Sequence, residues 1–212
     1  MKKGIIFDMD GTLWDSAANV AKAWDEVARA WNYPGEPIDE AAIMSIMGKT
    51  MTDIADCLFA KWDEKRRMEL LDACCEAENA YLREVGGKLY PEFTATMEKL
   101  KRDYHLYIVS NCQTGYIEAF LDHYGFWKYF EDIECFGNNF KPKSDNIRLL
   151  ADRNHLDRAV YVGDIQGDCD ATEAAGLPFI HAAYGFGSID HEVPVIRCLA
   201  ELPETAAGVL EG

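Results

Sequence analysis

Asp8 and Asp10 stand one residue apart where the apolar run Ile5-Ile6-Phe7 gives out, and Gly11 and Thr12 follow at once. Two carboxylates that close can serve as nucleophile and acid, or hold a cation together. The turn after them can turn backbone amides and a hydroxyl toward an anion. An aspartate-rich turn is also an ordinary way to end a strand, so the other strand ends must decide between chemistry and a plain turn. Two more apolar runs stop at polar residues. His105 to Val109 ends in Ser110-Asn111, and Ala159 to Val162 ends in Gly163-Asp164, with Asp168 and Asp170 close behind. Between these two runs, Lys141-Pro142-Lys143 occupies a predicted loop.

The elements around these residues alternate. Short runs that are wholly apolar predict strands buried on both faces, and the stretches between them carry helical periodicity, so the chain is expected to form an α/β fold with a parallel sheet. In such a sheet right-handed crossovers gather successive strand ends on one edge, where ligands bind. Asp8, Asp10, Ser110, Asn111 and Asp164 are therefore expected side by side. Further short strands are predicted at Ile133 to Phe136 and from Leu177 to Ile180. Helices are predicted at 91–100, 114–123, 144–153 and 203–210, with another running from Asp168 to Ala175.

The segment from Ser16 to Gly86-Gly87 differs, because only helical patterns occur in it. Val20, Ala23, Trp24, Val27, Ala28 and Trp31 recur at helical spacing behind Ser16 as N-cap, and Thr50 with Asp53 resembles a capping box. Further helices are predicted from Glu40 to Met47 and from Asp63 to Glu84. An all-helical block inside an α/β chain reads as an insertion, which divides the chain into a core of 1–15 and 86–212 and a helical cap of 16–85.

Gathering several carboxylates at one sheet edge is unfavourable. Two of them 4 Å apart repel by about 4 kcal/mol at an effective dielectric near 20. A divalent cation offsets this, and a ligand set made only of carboxylate oxygens suits a hard ion, Mg²⁺ retaining several waters rather than Ca²⁺. With Ser110 and Asn111 as donors, amides at Gly11 and Thr12, and a positive charge at Lys141, the expected guest is a phosphoryl group.

These four stretches, Asp8-Met9-Asp10-Gly11-Thr12, Ser110-Asn111, Lys141-Pro142 and Gly163-Asp164 with Asp168, resemble the motifs of the haloacid dehalogenase superfamily in order. The helical segment is similar to the small cap of its phosphoglycolate phosphatase and β-phosphoglucomutase group. The resemblance implies a Rossmann-like core with helices on both faces. It also implies an Mg²⁺-dependent phosphatase in which Asp8 is the nucleophile and Asp10 the acid and base, while Ser110 and Lys141 grip phosphate. Metal would be held by Asp8, the Asp10 backbone carbonyl and Asp164, with Asp168 as direct or indirect ligand. Lys143 is a nearby rival to Lys141, but the family pattern puts the lysine directly before proline. In the cap, Lys49 stands where related mutases carry arginine, and is either a substrate contact or a surface lysine.

Composition narrows the partners. A net charge of −16 in 212 residues disfavours nucleic acid and anionic membranes. No apolar run approaches a membrane span, and Met1-Lys2-Lys3 leads into the first strand without a signal-peptide core, so a cytoplasmic chain is expected. Seven cysteines, an odd number with no CxxC pair, read as reduced thiols. The resemblance implies a small phosphorylated metabolite as substrate. Oligomeric state and the identity of that substrate are not legible at this level. Retention of an acid at Asp10 favours ester hydrolysis over dehalogenation. A phosphomutase is the enzymatic alternative and a receiver-like phosphoacceptor the non-enzymatic one.

Overall fold

A computed structural model describes residues 1–211. Its element order is β1 (Lys3–Phe7), β2 (Trp14–Asp15), α1 (Ala17–Ala30), α2 (Glu40–Met44), α3 (Met51–Leu58), α4 (Glu64–Val85), β3 (Lys88–Leu89), α5 (Phe93–Leu100), β4 (His105–Ser110) and α6 (Tyr116–Tyr124). Then follow β5 (Phe130–Cys135), α7 (Phe136–Asn139), α8 (Lys143–Arg153), β6 (Arg158–Gly163), α9 (Gln166–Ala175), β7 (Phe179–Ala182), β8 (Val195–Ile196) and α10 (Leu202–Glu211). Among the described residues no helix is long and apolar enough to cross a membrane.

Six strands form one parallel sheet in the order β5-β4-β1-β6-β7-β8. The period-2 alternation of strands divides the buried side chains between two faces. Ile5, Phe7, Leu106, Ile108, Val160 and Val162 join one apolar cluster, which α5, α6 and α10 cover through Met97, Phe120 and Ala206. Ile6, Tyr107, Val109, Ala159 and Tyr161 join the other, under α8 and α9 through Ile147, Leu150 and Cys169. The predicted α/β class, with helices on both faces, is the observed one.

β1 lies at the centre, with Phe7 paired to Ile108 on one side and to Val162 on the other. That register delivers Asp8, Ser110 and Asp164 to the same edge. Strand β5 starts earlier than predicted, at Phe130, because an edge strand need not be apolar. Its acidic residues Asp132 and Glu134 are held by the Arg153 guanidinium at 2.6–2.9 Å. The two-residue pair β2–β3, with Trp14 opposite Leu89 and Asp15 opposite Lys88, and the short β8 were not predicted. Two residues carry no periodicity.

Helices α1 to α4 occupy the stretch between β2 and β3. Asp39, Thr50 and Asp63 cap α2, α3 and α4 through their side chains. Ser16 precedes α1 as expected but makes no capping bond; its hydroxyl is engaged elsewhere. Gly86, at φ +71°, ends α4, where a left-handed backbone favours glycine.

Candidate active site

Asp8 follows directly on the last residue of β1 and is buried. Lys143 donates to its Oδ1 at 2.9 Å and to Asp168 Oδ1 at 2.6 Å. Burial pushes the Asp8 carboxyl up to about 7, with Lys143 pulling it down and Asp168 adding to the rise. Asp164 is raised to about 8, first by burial and then by the charges of Asp168 and Asp8. One lysine among three buried acids leaves the cluster short of positive charge.

The position of Lys143 corrects the expectation for Lys141. Lys143 opens α8 and shares its inward stripe with Asn146, Ile147 and Leu150, at i, i+3, i+4 and i+7, so the helix aims its ammonium into the sheet edge. Lys141 lies two residues before that helix and is exposed; its backbone amide donates to Asn139. Helical periodicity extended back by one residue carries this signal.

The donors of the opening turn are also arranged differently from expectation. Gly11 N donates to Trp14 O at 2.9 Å and Thr12 N to Met9 O at 3.2 Å, so both amides close the turn and neither faces an anion. The Thr12 hydroxyl is buried with no partner among the described residues. Gly11 has a second role. At φ +80°, a Cβ there would fall 2.0 Å from Asp164 Oδ2, so only glycine lets the Asp164 carboxylate lie against the turn. Asn111 likewise departs from its expected role, since its Nδ2 donates to Gly48 O in the helical segment at 3.0 Å and ties the two parts of the chain together. Ser110 is buried and lines the pocket as expected.

Asp10 points away from Lys143. Its Oδ1 accepts from Ser16 Oγ at 2.6 Å and Tyr116 Oη at 2.7 Å, and burial raises its carboxyl to about 6 against the pull of those two donors. Ser16 and Tyr116 were not expected here. Tyr116 lies on the buried stripe of α6 with Ile117 and Phe120, and a tyrosine on such a stripe needs a partner for its hydroxyl.

The acidic cluster fits a hard cation. Oxygens of Asp8, Asp164 and Asp168 lie within 4.8 Å of one another. Asp168 has both oxygens engaged, one by Lys143 and the other by the amides of Asp164 and Ile165, which makes it a positioning residue. Asp8 Oδ2 and Asp164 Oδ1 have no protein donor among the described residues, whereas Asp164 Oδ2 accepts from Phe186 N at 2.7 Å. That last bond gives a purpose to the loop after β7. Gly185 packs so closely on Asp164 and on Gly11 O that an added Cβ would lie 2.4 Å from each.

A pocket of about 500 Å³, counting its open mouth, joins this edge to the helical segment. Asp8, Asp10, Ser110 and Tyr116 line it from the core, and Val20, Trp24, Ile43, Ile46 and Ile54 are among those that line it from the helical segment. Lys49 lines it as an exposed residue, its ammonium 3.8 Å from Cys57 Sγ.

Comparison with known proteins agrees with this geometry. The sequence pattern of the family described as haloacid dehalogenase-like hydrolase matches residues 5–182. A phosphoglycolate phosphatase from Rhodobacter capsulatus is 28% identical over 192 residues, covering 88% of this chain and 86% of its own. Another from Vibrio cholerae is 27% identical and covers 98% and 95%. A haloacid dehalogenase-like hydrolase from Bacteroides fragilis superposes with a TM-score of 0.81 at 22% identity, over 95% of this chain and all of that one, a likeness of fold.

Proposed function

This chain belongs to the haloacid dehalogenase-like hydrolases, and from that premise we propose that it is a Mg²⁺-dependent phosphatase of a small phosphorylated metabolite, working through an aspartyl-phosphate. The observation that carries the reading is the division of labour between two neighbouring aspartates. Asp8 is bound to a lysine and has one oxygen without a protein donor; Asp10 is bound to two hydroxyls and stands near the pH at which it both gives and takes a proton. Relatives that cover nearly the whole chain are named phosphoglycolate phosphatase, which places phosphoglycolate among the candidate substrates.

In this reading Asp8 attacks phosphorus and the bond to the leaving oxygen breaks, while protonated Asp10 gives that oxygen its proton. Asp10, now a carboxylate, takes a proton from water. The resulting hydroxide attacks the phosphorus of the acyl phosphate, which returns Asp8 and releases inorganic phosphate. Lys143 keeps Asp8 ionised and oriented, and Ser110 Oγ is placed to bind a phosphoryl oxygen. Mg²⁺, held by Asp8, Asp164 and the Asp10 carbonyl, would offset the charge of the phosphoryl group. The helical segment, 16–85, acts as a cap over the core of 1–15 and 86–212. With membership of a hydrolase family shown, the receiver-like alternative loses its support.

Asp8→Asn is expected to reduce Mg²⁺-dependent release of phosphate from an aryl phosphate to background while the protein stays folded by circular dichroism. An unchanged rate would remove Asp8 as nucleophile.

A further inference from the structure

One buried acid has no part in that chemistry. Glu78 sits in the second half of α4, 4% exposed, in the wall of the pocket. Its Oε2 accepts from Trp24 Nε1 at 2.7 Å and from Gln113 Nε2 at 3.1 Å. Its Oε1 makes no hydrogen bond among the described residues, in a side chain that lines the cavity shared with Asp8 and Asp10.

A purely structural role does not account for a glutamate at this position. A glutamine would accept from Trp24 and Gln113 equally well, without a buried charge. Two N–H donors converging on one oxygen favour the ionised form. Burial works against them and raises the carboxyl to about 8, with the charge of Asp10 adding to the rise. The missing contribution is a donor at Oε1, and the side chain lines the same pocket as Asp8 and Asp10.

Resting on the phosphatase reading, we infer that Glu78 is a specificity-determining residue. It selects phosphate monoesters whose leaving alcohol carries a hydrogen-bond donor, an ammonium or a hydroxyl, and it discriminates against those ending in a carboxylate. A substrate carboxylate would add a further negative charge beside Asp8, Asp10 and Glu78, with the exposed Lys49 as the one cation lining the pocket among the described residues. A donor group completes the set around Glu78. By this inference phosphoglycolate is a poor substrate of this chain, although relatives at 27–28% identity are named for it.

The test is a panel of esters of similar length with Mg²⁺ at about pH 9, above the point at which Glu78 ionises: O-phosphoethanolamine, glycerol phosphate, n-propyl phosphate and phosphoglycolate, with an aryl phosphate as reference. The donor-bearing esters are expected to exceed phosphoglycolate in kcat/KM by at least about 10-fold, with the propyl ester between them, and the better of the two donor-bearing esters identifies the donor. Glu78→Gln, checked for folding by its melting temperature, is expected to shrink the ethanolamine-to-glycolate ratio by about 10-fold or more. Phosphoglycolate turnover equal to or above that of the donor-bearing esters overturns the inference, as does an unchanged ratio in the variant. The panel needs only the native protein, so it decides even if the variant does not fold. If the aryl phosphate is also inert, the phosphatase reading itself fails; if it is hydrolysed and the ranking is wrong, only the role of Glu78 fails.

Discussion

The sheet edge and the helical segment meet at one pocket but build it from opposite materials. The edge supplies crowded charge on short backbone leashes. Asp8, Lys143, Asp164 and Asp168 are all buried and hold one another within hydrogen-bond reach or close to it. The helical segment supplies a largely apolar wall that carries one carboxylate, Glu78, and one exposed ammonium, Lys49. The difference teaches where each property resides. The buried charges of the edge depend on one another for partners, whereas the apolar residues of the helical wall make no hydrogen bond or ion pair to that edge.

If the edge is mutually dependent, removing its one cation should do the greatest damage. Lys143→Ala leaves Asp8 and Asp168 facing each other in a buried site, and is expected to lose about 3–5 kcal/mol of stability in urea unfolding and nearly all activity. Lys141→Ala, at an exposed residue, should stay within about 0.5 kcal/mol of the parent and retain its turnover. Equal effects of the two substitutions would return the role to Lys141.

The charge imbalance of the edge makes a second test, in metal-free protein. Asp8 and Asp164 titrate near 7 and 8 when folded, against 3.8 as the ordinary value. The folded state therefore holds more protons than the unfolded one, and stability should fall as pH rises from about 4 through 8. Mg²⁺ bound at these carboxylates would replace those protons. Its stabilisation, about 2.7 kcal/mol at a hundredfold excess over Kd, should accordingly be largest near pH 8 and fade toward pH 5 in thermal melts. A thermal shift independent of pH would separate the metal from these carboxylates.

The smallest expected effect lies where the two regions touch. Tyr116→Phe removes one donor from the Asp10 carboxylate, which raises its pKa, and should move the corresponding limb of the pH–rate profile upward by about one unit. If that limb stays in place, the bond from Tyr116 does not tune Asp10.

Much of the edge was legible before any coordinates, and the reason is local. Ile5 to Phe7, Leu106 to Val109 and Val160 to Val162 are short apolar runs that end abruptly, and the parallel topology brings their ends together. What escaped reading depended on directions rather than on types. Lys141 and Lys143 are the same residue two positions apart, and only the phase of the helix starting at the second decides which ammonium turns inward. Gly11 and Thr12 are the residues an anion-binding turn would use, yet this turn closes on its own amides. Glu78 reads as one more charge on an amphipathic helix until the opposite wall, Trp24 and Gln113, is in place. Contacts that span 35 to 54 residues leave no periodic trace.

The pair β2–β3 brings Asp15 opposite Lys88, so the chain leaves the sheet layer and returns to it at neighbouring points. A stretch joined in this way behaves as a cassette. The helices between could be shortened, exchanged or replaced by a tight turn while both flanking ends stay where they are. If the helices choose the substrate, exchanging one continuous block of sequence with two cuts would change that choice and leave the edge in place.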